Sequence, residues 1–332
     1  MSPVAGAVAT LSAEIAAFTA RFGRQVGIDE AGVLDRSDVV DLRRPGLWSP
    51  NGGCRLVRAV DGWIAVNLPR DSDLDLIPAW LGSRLDAEPW PTVVRRARTR
   101  TVAALTAGAA LLGLPVAGVG EVKAKTLIPP LIRRAAGGRP RAALKVVDLS
   151  SMWAGPLCGA VLAQAGAAVL KVESRQRPDA ARDGTPALSA RLNGDKAERA
   201  LDFAAPADLA WLRGEIAAAD VVITSARPRA FAQLDLSPAN AFAANPGLVW
   251  VAISGYGWTG EAADRVAFGD DAAAAGGLLR WTPRGAPRFA GDALADPLTG
   301  LAAAGGALRA LAQGGGFLVD AALARTAAAA AA

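Results

Sequence analysis

The stretch LKVVDLSSMWAGPLCGAVLAQAGAAVLKVE, from Leu144 to Glu173, decides the fold of this chain. It opens with a continuous apolar run that ends in small polar residues, which is typical of a buried parallel strand. Pro156 suits the first turn of the helix that follows, and Gly166 suits the end of that helix. A second apolar run then leads to Glu173. The stretch therefore predicts a strand, a helix and a second strand.

The same pattern continues toward the C-terminus. Further strands are predicted at ADVVITS (219–225), LVWVAIS (248–254) and GFLVDAAL (316–323), with helical segments such as WLRGEIAAA between them. Strands that alternate with helices predict an α/β fold, here a doubly wound, mostly parallel Rossmann-like sheet. Such sheets bind ligands beyond the carboxyl ends of their strands, where the strand order reverses.

A smaller α+β domain is predicted in front of this sheet. It contains an amphipathic helix at 4–22, two strands within Gly53–Leu68 joined by a turn at Asp61-Gly62, and a helix at 73–82 that ends at Gly82. The stretch RRAAGGRPRAA, where Gly, Pro and Arg replace apolar periodicity, marks a boundary. We therefore divide the chain into a small domain at 1–135, a linker at 136–143 and the Rossmann-like core at 144–332.

Composition excludes several kinds of chemistry. The 332 residues include no His and two Cys, so a Ser-His-Asp triad, a Cys-His pair and a His-ligated metal are ruled out. Two cysteines build neither a zinc site nor a disulfide framework, which favours a reducing cytoplasmic location. Acid–base or nucleophilic work is left to Asp, Glu, Lys, Ser, Tyr256 or the cysteines.

Signals for membranes and nucleic acids are weak. No basic residue precedes Arg21, and the uncharged run Thr101–Gly120 reads as a buried helix, a turn and a strand. The net charge of +5 comes from the first 140 residues, as a solubilising face or a patch for an anionic ligand. The basic cluster lacks interleaved aromatics, so we expect neither nucleic acid nor membrane as a partner. The alanine tail, 327–332, is expected to be a frayed helix end.

Three groups of residues are candidates for chemistry. The turn Ser150–Pro156 could bind an anion at a helix start. Glu173 stands at the end of the second strand, where a dinucleotide-binding domain has its ribose-binding acid, but the glycine fingerprint of such domains is absent. Cys158 is expected to be a buried, inert thiol rather than a nucleophile. Four acids could ligate a metal or cap helices, although their spacing matches no calcium loop, and we expect no metal. They are Asp270, Asp271, Asp292 and Asp296.

At these residues the chain resembles the family III CoA-transferases, also called the CaiB/BaiF family. The opening stretch is followed, in the family's order, by several further matching motifs. They are NGDK with ALDF after it, ADVVITSARPRAF, NPGLVWVAISGYGWTG, FGDDAAAAGGLL, and ADPLTGLAAAGGALRAL with FLVDAAL after it. The segment from Ser49 to Gly82 resembles the glycine-bearing loop and hairpin of the family's small domain. That domain usually follows the core strands, so the chain reads as a permuted, shortened member.

The resemblance implies an acyl-CoA:carboxylate CoA-transferase with Asp296 as nucleophile, because this residue stands at the family's motif position. An ionised carboxylate needs no base and divides one acyl exchange into easier steps. Gly52 and Gly53 are the implied oxyanion loop. The implied CoA-binding residues are Met152, Trp153, Ala154, Arg175, Ser225, Ala226 and Arg229. CoA would be a substrate, with no tightly bound cofactor. The family's racemases use a His that falls here at Phe268 or Gly269, so a His-dependent racemase is excluded.

Two other functions stay open at this point. The chain could be a non-catalytic relative that binds CoA or acyl-CoA, or a subunit of a larger complex. It could also be an acyl-CoA isomerase that works without His. As partners we expect an acyl-CoA and a carboxylic acid acceptor, and a homodimer or a heteromer with a related subunit.

Overall fold

The computed structural model describes residues 2–21, 24–84, 88–138 and 143–332. Residue 22 of the predicted first helix and residues 139–142 of the predicted linker lie outside this range. The strands are β1 (Cys54–Arg58), β2 (Trp63–Asn67), β3 (Val116–Gly118), β4 (Leu131–Arg133), β5 (Lys145–Leu149), β6 (Ala168–Ser174), β7 (Ala197–Leu201), β8 (Val221–Thr224), β9 (Val249–Ser254), β10 (Leu279–Trp281), β11 (Pro287–Phe289) and β12 (Phe317–Ala322).

The helices alternate with these strands, and a short 3-10 turn spans Gly32–Leu34. The helices are α1 (Pro3–Arg21), α2 (Asp71–Leu81), α3 (Pro89–Ala97), α4 (Val102–Leu112), α5 (Ala154–Gln164), α6 (Ala181–Gly184), α7 (Pro186–Asn193), α8 (Pro206–Ala218), α9 (Pro228–Gln233), α10 (Pro238–Ala244), α11 (Gly269–Ala275), α12 (Ala295–Ala312) and α13 (Leu323–Ala331).

The large sheet confirms the predicted α/β fold. Its seven strands lie in the order β4-β12-β9-β8-β5-β6-β7, and every neighbouring pair is parallel except β12 and β4. From β5 the chain adds β6 and β7 on one side, then returns to add β8 and β9 on the other. The order therefore reverses between β5 and β8, and the loops after these two strands meet where the Ser151 backbone N–H donates to Ser225 Oγ at 2.9 Å.

Helices cover both faces of this sheet. Helices α1, α5, α12 and α13 supply apolar side chains to the core on one face. Helices α8, α9 and α10 contribute to the core on the other face, where the fully buried Trp250 of β9 packs edge-on against Phe231 at 5.7 Å between ring centroids. Both faces are thus apolar, which explains why the core strands read as continuous hydrophobic runs.

The hairpin predicted in the N-terminal part is present. Strands β1 and β2 pair antiparallel with Arg58 opposite Trp63, and β3 completes a three-stranded sheet beside α2, α3 and α4. Helix α2 ends at Gly82, whose φ of +55° favours glycine. The run 101–120 forms the predicted helix, turn and strand, but α4 is not a buried helix, since only Leu105 and Ala109 are buried in it.

Two segments of the predicted small domain pack with the large sheet instead. Strand β4 pairs antiparallel with β12 at the edge of the sheet. Helix α1 packs on α12 and α13 and buries Val8, Leu11 and Ile15 in the main core. Residues 3–21 and 131–133 therefore pack with the Rossmann-like core, because their apolar side chains contact this core and not the three-stranded sheet β1-β2-β3.

Helices at the two ends of the chain carry two further findings. Among the described residues, α1 is the one helix long and apolar enough to cross a membrane, judged by length and composition alone, and 28% of its most apolar window is buried. The expectation of a frayed alanine tail is wrong, since α13 runs to Ala331 and buries Ala327 and Ala328. A side chain on Gly276, which follows α11, would collide with this helix, so small residues allow the close approach.

Candidate active site

Asp296 stands in the first turn of α12, the second residue after Leu294 at the helix start. Its carboxylate does not cap the helix. Instead the residue lines a cavity of about 160 Å³ in the company of Arg36, Asn51, Gly53, Trp153 and Asp270. The cavity therefore joins the loop before β1 to the start of α11 and the loop after β5. Asp296 therefore lies where the segments that flank β1 and β2 meet the large sheet.

Gly269 gives the Asp296 carboxylate its room. A Cβ at Gly269 would collide with Asp296 Oδ2 and would lie 2.6 Å from the Ala293 carbonyl oxygen. The backbone N–H of Gly269 also lowers the pKa of Asp296. The first residue of α11 thus leaves room for the carboxylate and favours its ionised form.

A hydrogen-bonded network of one arginine, one asparagine and two aspartates surrounds Asp296. Arg36 binds Asp292 with two nitrogens, Nε to Oδ2 at 2.5 Å and Nη2 to Oδ1 at 3.2 Å. Asn51 Nδ2 donates to Asp292 Oδ1 and to Asp270 Oδ2, both at 2.7 Å. The Arg36 guanidinium also lies 5.0 Å from the centroid of the Trp153 ring. Charge-assisted hydrogen bonds of this kind fix the relative positions of their partners. The network therefore connects the segment before β1 to Asp270 at the start of α11 and to Asp292 before α12.

The electrostatics of the cavity favour a neutral carboxyl more than the sequence suggests. Desolvation raises the pKa of Asp296 to about 7, opposed by Arg36 and aided by the charges of Asp270 and Asp292. Desolvation also raises the pKa of Asp270 to about 6, although the hydrogen bond from Asn51 opposes it. Burial beside like charges therefore disfavours the carboxylate form of Asp296, so that a fraction of this group is neutral near pH 7.

The four acids have separate roles. Asp271 caps the start of α11 by accepting the Phe268 N–H at 3.0 Å, and it accepts from Asn67 Nδ2 at 2.8 Å. Desolvation raises its pKa to about 8. Asp270 accepts the Ala293 N–H at 2.8 Å. Among the described residues no group of three or more Cys, Asp or Glu side chains has the arrangement of a metal site.

The glycine loop lies at the cavity, but both of its predicted oxyanion donors are engaged. The Gly52 N–H donates to the Ser49 carbonyl oxygen at 2.9 Å, and the Gly53 N–H donates to Asn51 Oδ1 at 2.7 Å. Gly52 has a φ of +78°, so glycine suits this turn. Gly53 lines the cavity and Gly52 does not.

A larger cleft of about 620 Å³ opens at the carboxyl ends of β5, β6 and β8. Of the predicted CoA-binding residues, Met152, Ser225 and Ala226 line it, and Met152 also lines the Asp296 cavity. Trp153 lines only the Asp296 cavity. The two spaces are therefore neighbours that share one side chain.

The remaining predicted residues lie elsewhere. Ala154 is buried in the first turn of α5 and lines neither space. Arg175 lines an adjoining charged groove and lies 3.7 Å from Asp208, while Arg229 is exposed and lines neither space. Glu173 accepts two hydrogen bonds from Arg182 at 2.9 Å. Cys158 is fully buried, and desolvation raises the pKa of its thiol far above its usual range, which disfavours a thiolate nucleophile.

Three residues of the site were not predicted from the sequence: Arg36, Asn51 and Asn67. Arg36 is an isolated arginine in a loop, 256 residues from its partner Asp292, so no local pattern marks it. Asn51 directly precedes the two glycines of the loop, and an amide beside such a loop is the one available signal.

Comparison with known proteins supports the resemblance. The model of the family described as CoA-transferase family III matches residues 142–332. A succinyl-CoA–D-citramalate CoA-transferase of Chloroflexus aurantiacus is 33% identical over 195 residues, which cover 55% of this chain and 48% of that protein. A succinate–glutarate CoA-transferase of Agrobacterium fabrum is 30% identical, covering 49% of this chain and 44% of that one. The chain spans about half the length of the curated relatives it matches.

Solved structures give the same result. The crystal structure of Rv3272 from M. tuberculosis superimposes with a TM-score of 0.51 at 28% identity, covering 58% of this chain and 55% of that one. A CAIB/BAIF family protein from Brucella suis gives a TM-score of 0.50 at 30% identity, covering 56% and 53%. Because the family model matches more than half of the residues, this chain belongs to CoA-transferase family III.

Proposed function

We propose that this chain transfers CoA between an acyl-CoA and a carboxylic acid, with Asp296 as the nucleophile. One observation carries the proposal: the Asp296 carboxylate lines a cavity that shares Met152 with the cleft at the strand ends. A CoA thioester bound in the cleft could then reach Asp296 past Met152. Family membership supports the reaction class, and the neighbouring cavities support the role of Asp296.

The proposed chemistry proceeds in two balanced halves. Asp296 attacks the thioester carbonyl carbon, the C–S bond breaks, and the products are a CoA thiolate and a mixed anhydride of Asp296 with the donor acid. The thiolate attacks the aspartyl carbonyl of this anhydride, which releases the donor acid and leaves an aspartyl-CoA thioester. The acceptor carboxylate attacks the aspartyl carbonyl of this thioester, the C–S bond breaks, and a second mixed anhydride and a CoA thiolate form. The thiolate then attacks the acceptor's carbonyl carbon, which forms the new acyl-CoA and releases the Asp296 carboxylate. Asp296 is regenerated, and no water, metal or external base is consumed.

Short carboxylic acids suit the cavity best. The cavity of about 160 Å³ is the smaller of the two neighbouring spaces, which favours a short acyl group over a long chain at Asp296. The relatives are named for succinyl-CoA, citramalate, succinate and glutarate. We therefore propose short dicarboxylic acids as the first donors and acceptors to assay.

The acting assembly is also a proposal. Two relatives are named as the beta and alpha subunits of a succinyl-CoA–L-malate CoA-transferase. The loop just before β1 contributes Asn51 and Gly53 to the cavity of the same chain. We propose a cytoplasmic protein that acts as a homodimer or with a related subunit, with the small domain permuted to the front.

A second candidate is a non-catalytic protein that binds CoA or acyl-CoA. The observation that favours it is the engagement of both glycine N–H groups, since oxyanion stabilisation needs free donors aimed at the reacting oxygen. Under the first proposal, the thioester oxygen displaces Asn51 Oδ1 from the Gly53 N–H.

The test is turnover of the purified chain with a panel of short acyl-CoAs and dicarboxylic acids. Asp296→Asn should abolish CoA exchange and retain CoA binding. Asp220→Asn, which changes a buried aspartate at the amino ends of the strands, should retain activity. Unchanged exchange in Asp296→Asn would refute the aspartyl mechanism. CoA binding without exchange by the unaltered chain would favour the binding protein.

A further inference from the structure

Met152 has a backbone conformation that its side chain disfavours. Its φ is +72°, in the left-handed region that glycine occupies freely and that other residues enter at a cost. The residue is 43% exposed, and it lines both the cleft at the strand ends and the Asp296 cavity. Left-handed residues of this kind persist where surrounding contacts hold them.

Asp179 supplies those contacts. Both of its carboxylate oxygens accept the Met152 backbone N–H, Oδ1 at 3.1 Å and Oδ2 at 3.0 Å. Oδ1 also accepts the Ala181 N–H at 3.0 Å. Asp179 itself is buried, so these hydrogen bonds lie in a low-dielectric setting where they are strong.

Lys171 completes the arrangement from beneath the turn. It is fully buried, and its Nζ donates to the Ser150 carbonyl oxygen and lies 3.5 Å from Asp179 Oδ2. Its ammonium group therefore joins the backbone two residues before Met152 to the carboxylate that binds the Met152 N–H. A third contact, to Glu173 Oε1 at 3.8 Å, lies on the same strand.

We propose that Lys171 and Asp179 are positioning residues that hold Met152 in the left-handed conformation. The Met152 side chain then forms the boundary between the cleft at the strand ends and the Asp296 cavity. The inference rests on the proposed transfer reaction, in which the thioester must cross this boundary to reach Asp296. Neither Lys171 nor Asp179 touches the reacting atoms, and both act through the backbone of the Met152 turn.

A double-mutant cycle of Asp179 and Met152 tests whether Asp179 acts through the Met152 backbone. Asp179→Ala removes the acceptor, and Met152→Gly removes the need for it, because glycine adopts a φ of +72° without a side-chain penalty. We expect Asp179→Ala to lower kcat/KM for the acyl-CoA by about tenfold or more, the scale of losing one such constraint. In the Met152→Gly background, the same change should lower kcat/KM by less than about threefold. A general folding role for Asp179 would give equal losses in both backgrounds and would overturn the proposal.

Controls keep the result interpretable. Asp220→Ala removes a buried aspartate that accepts the Lys145 N–H at 2.9 Å, at the amino ends of the strands, and should leave kcat/KM unchanged. If Asp179→Ala does not fold, Asp179→Asn keeps the shape and weakens the hold, and the cycle is repeated with it.

A second readout separates this inference from the proposed function. If the unaltered chain has no turnover, the proposed function fails, and the cycle is measured with the Kd for CoA by calorimetry. A crystal structure of the Asp179 variant gives the φ of Met152 directly. We expect this φ to leave the left-handed region, and a φ still near +72° would overturn the proposal.

Discussion

Gly269 and Asp296 occupy positions where only one of them can have a side chain. A methyl group on Gly269 would take the space of Asp296 Oδ2, while the backbone N–H of Gly269 lowers the pKa of the same carboxyl group. The first turns of α11 and α12 are therefore fitted to each other around the proposed nucleophile.

Gly269→Ala tests this fit. We expect the substitution to displace the Asp296 carboxylate and lower kcat by about a hundredfold, because small misplacements of a reacting group are costly. The matched control is Gly214→Ala in α8, where a Cβ meets no atom within 4 Å. That variant should keep full activity, with a slight gain in stability. Equal activity of both variants, measured in the CoA-exchange assay, would contradict the role of Gly269.

The pH dependence of the reaction follows from Asp296. Its pKa is raised to about 7 by desolvation, and only the ionised form attacks a thioester. We expect kcat/KM for the acyl-CoA to rise with pH and to level off above a midpoint near pH 7. A profile that is flat between pH 5 and pH 8 would show that a different group is the nucleophile or that chemistry is not limiting.

Arg36 stabilises the ionised form of Asp296. Arg36→Met removes this charge and leaves Asp292 without its ion-pair partner, so the midpoint of the pH profile should move up by about one unit or more. Arg36→Lys keeps the charge but not the two-nitrogen geometry, and its midpoint should stay closer to that of the unaltered protein. Identical midpoints in all three proteins would exclude an electrostatic role for Arg36.

Asn51 connects Gly53 to the two aspartates Asp270 and Asp292. Asn51→Ala should lower kcat by about tenfold, because Asp270 and Asp292 lose a shared donor and the Gly53 N–H loses its partner. KM for the acyl-CoA should change less, since Asn51 does not line the larger cleft. A rise in kcat would instead mean that Asn51 only blocks the Gly53 N–H.

Stability should respond to Asp296 in the opposite direction to activity. A raised pKa means that the folded protein binds the proton more tightly than the unfolded chain does, so this residue's contribution to the unfolding free energy falls as pH rises from about 4 to about 7. Asp296→Asn cannot ionise and should be more stable than the unaltered protein at pH 8 by up to about 4 kcal/mol, since each pH unit between the folded and unfolded pKa values is worth about 1.4 kcal/mol. At pH 4 the two should be nearly equal. Parallel Tm curves from pH 4 to pH 8 would contradict the raised pKa.

The parts of the fold that sequence predicts are those whose pattern is set locally. Strand β5 is buried on both faces and reads as an apolar run. The β1–β2 hairpin is predicted by the Asp61-Gly62 pair at its turn. Strand β7 escapes prediction because four of its five residues are exposed at the sheet edge. Its sequence AERAL carries no apolar run to mark it.

The site divides in the same way. The resemblance marks Asp296, since a motif of neighbouring residues carries it. Arg36 and Asn51 reach the site only through folding, across 256 and 241 residues from Asp292. The raised pKa of Asp296 could not be predicted either, because it depends on burial and on the charges of Arg36, Asp270 and Asp292, which lie in three separate segments of the chain.

The most direct test of the account is the mass of the protein after mixing with short acyl-CoAs, recorded under native and denaturing conditions. The aspartyl mechanism predicts a covalent CoA adduct that survives denaturation, maps by peptide sequencing to Asp296, and is absent from Asp296→Asn. CoA that is retained only under native conditions, in a protein that turns over its substrates, would contradict the covalent role of Asp296.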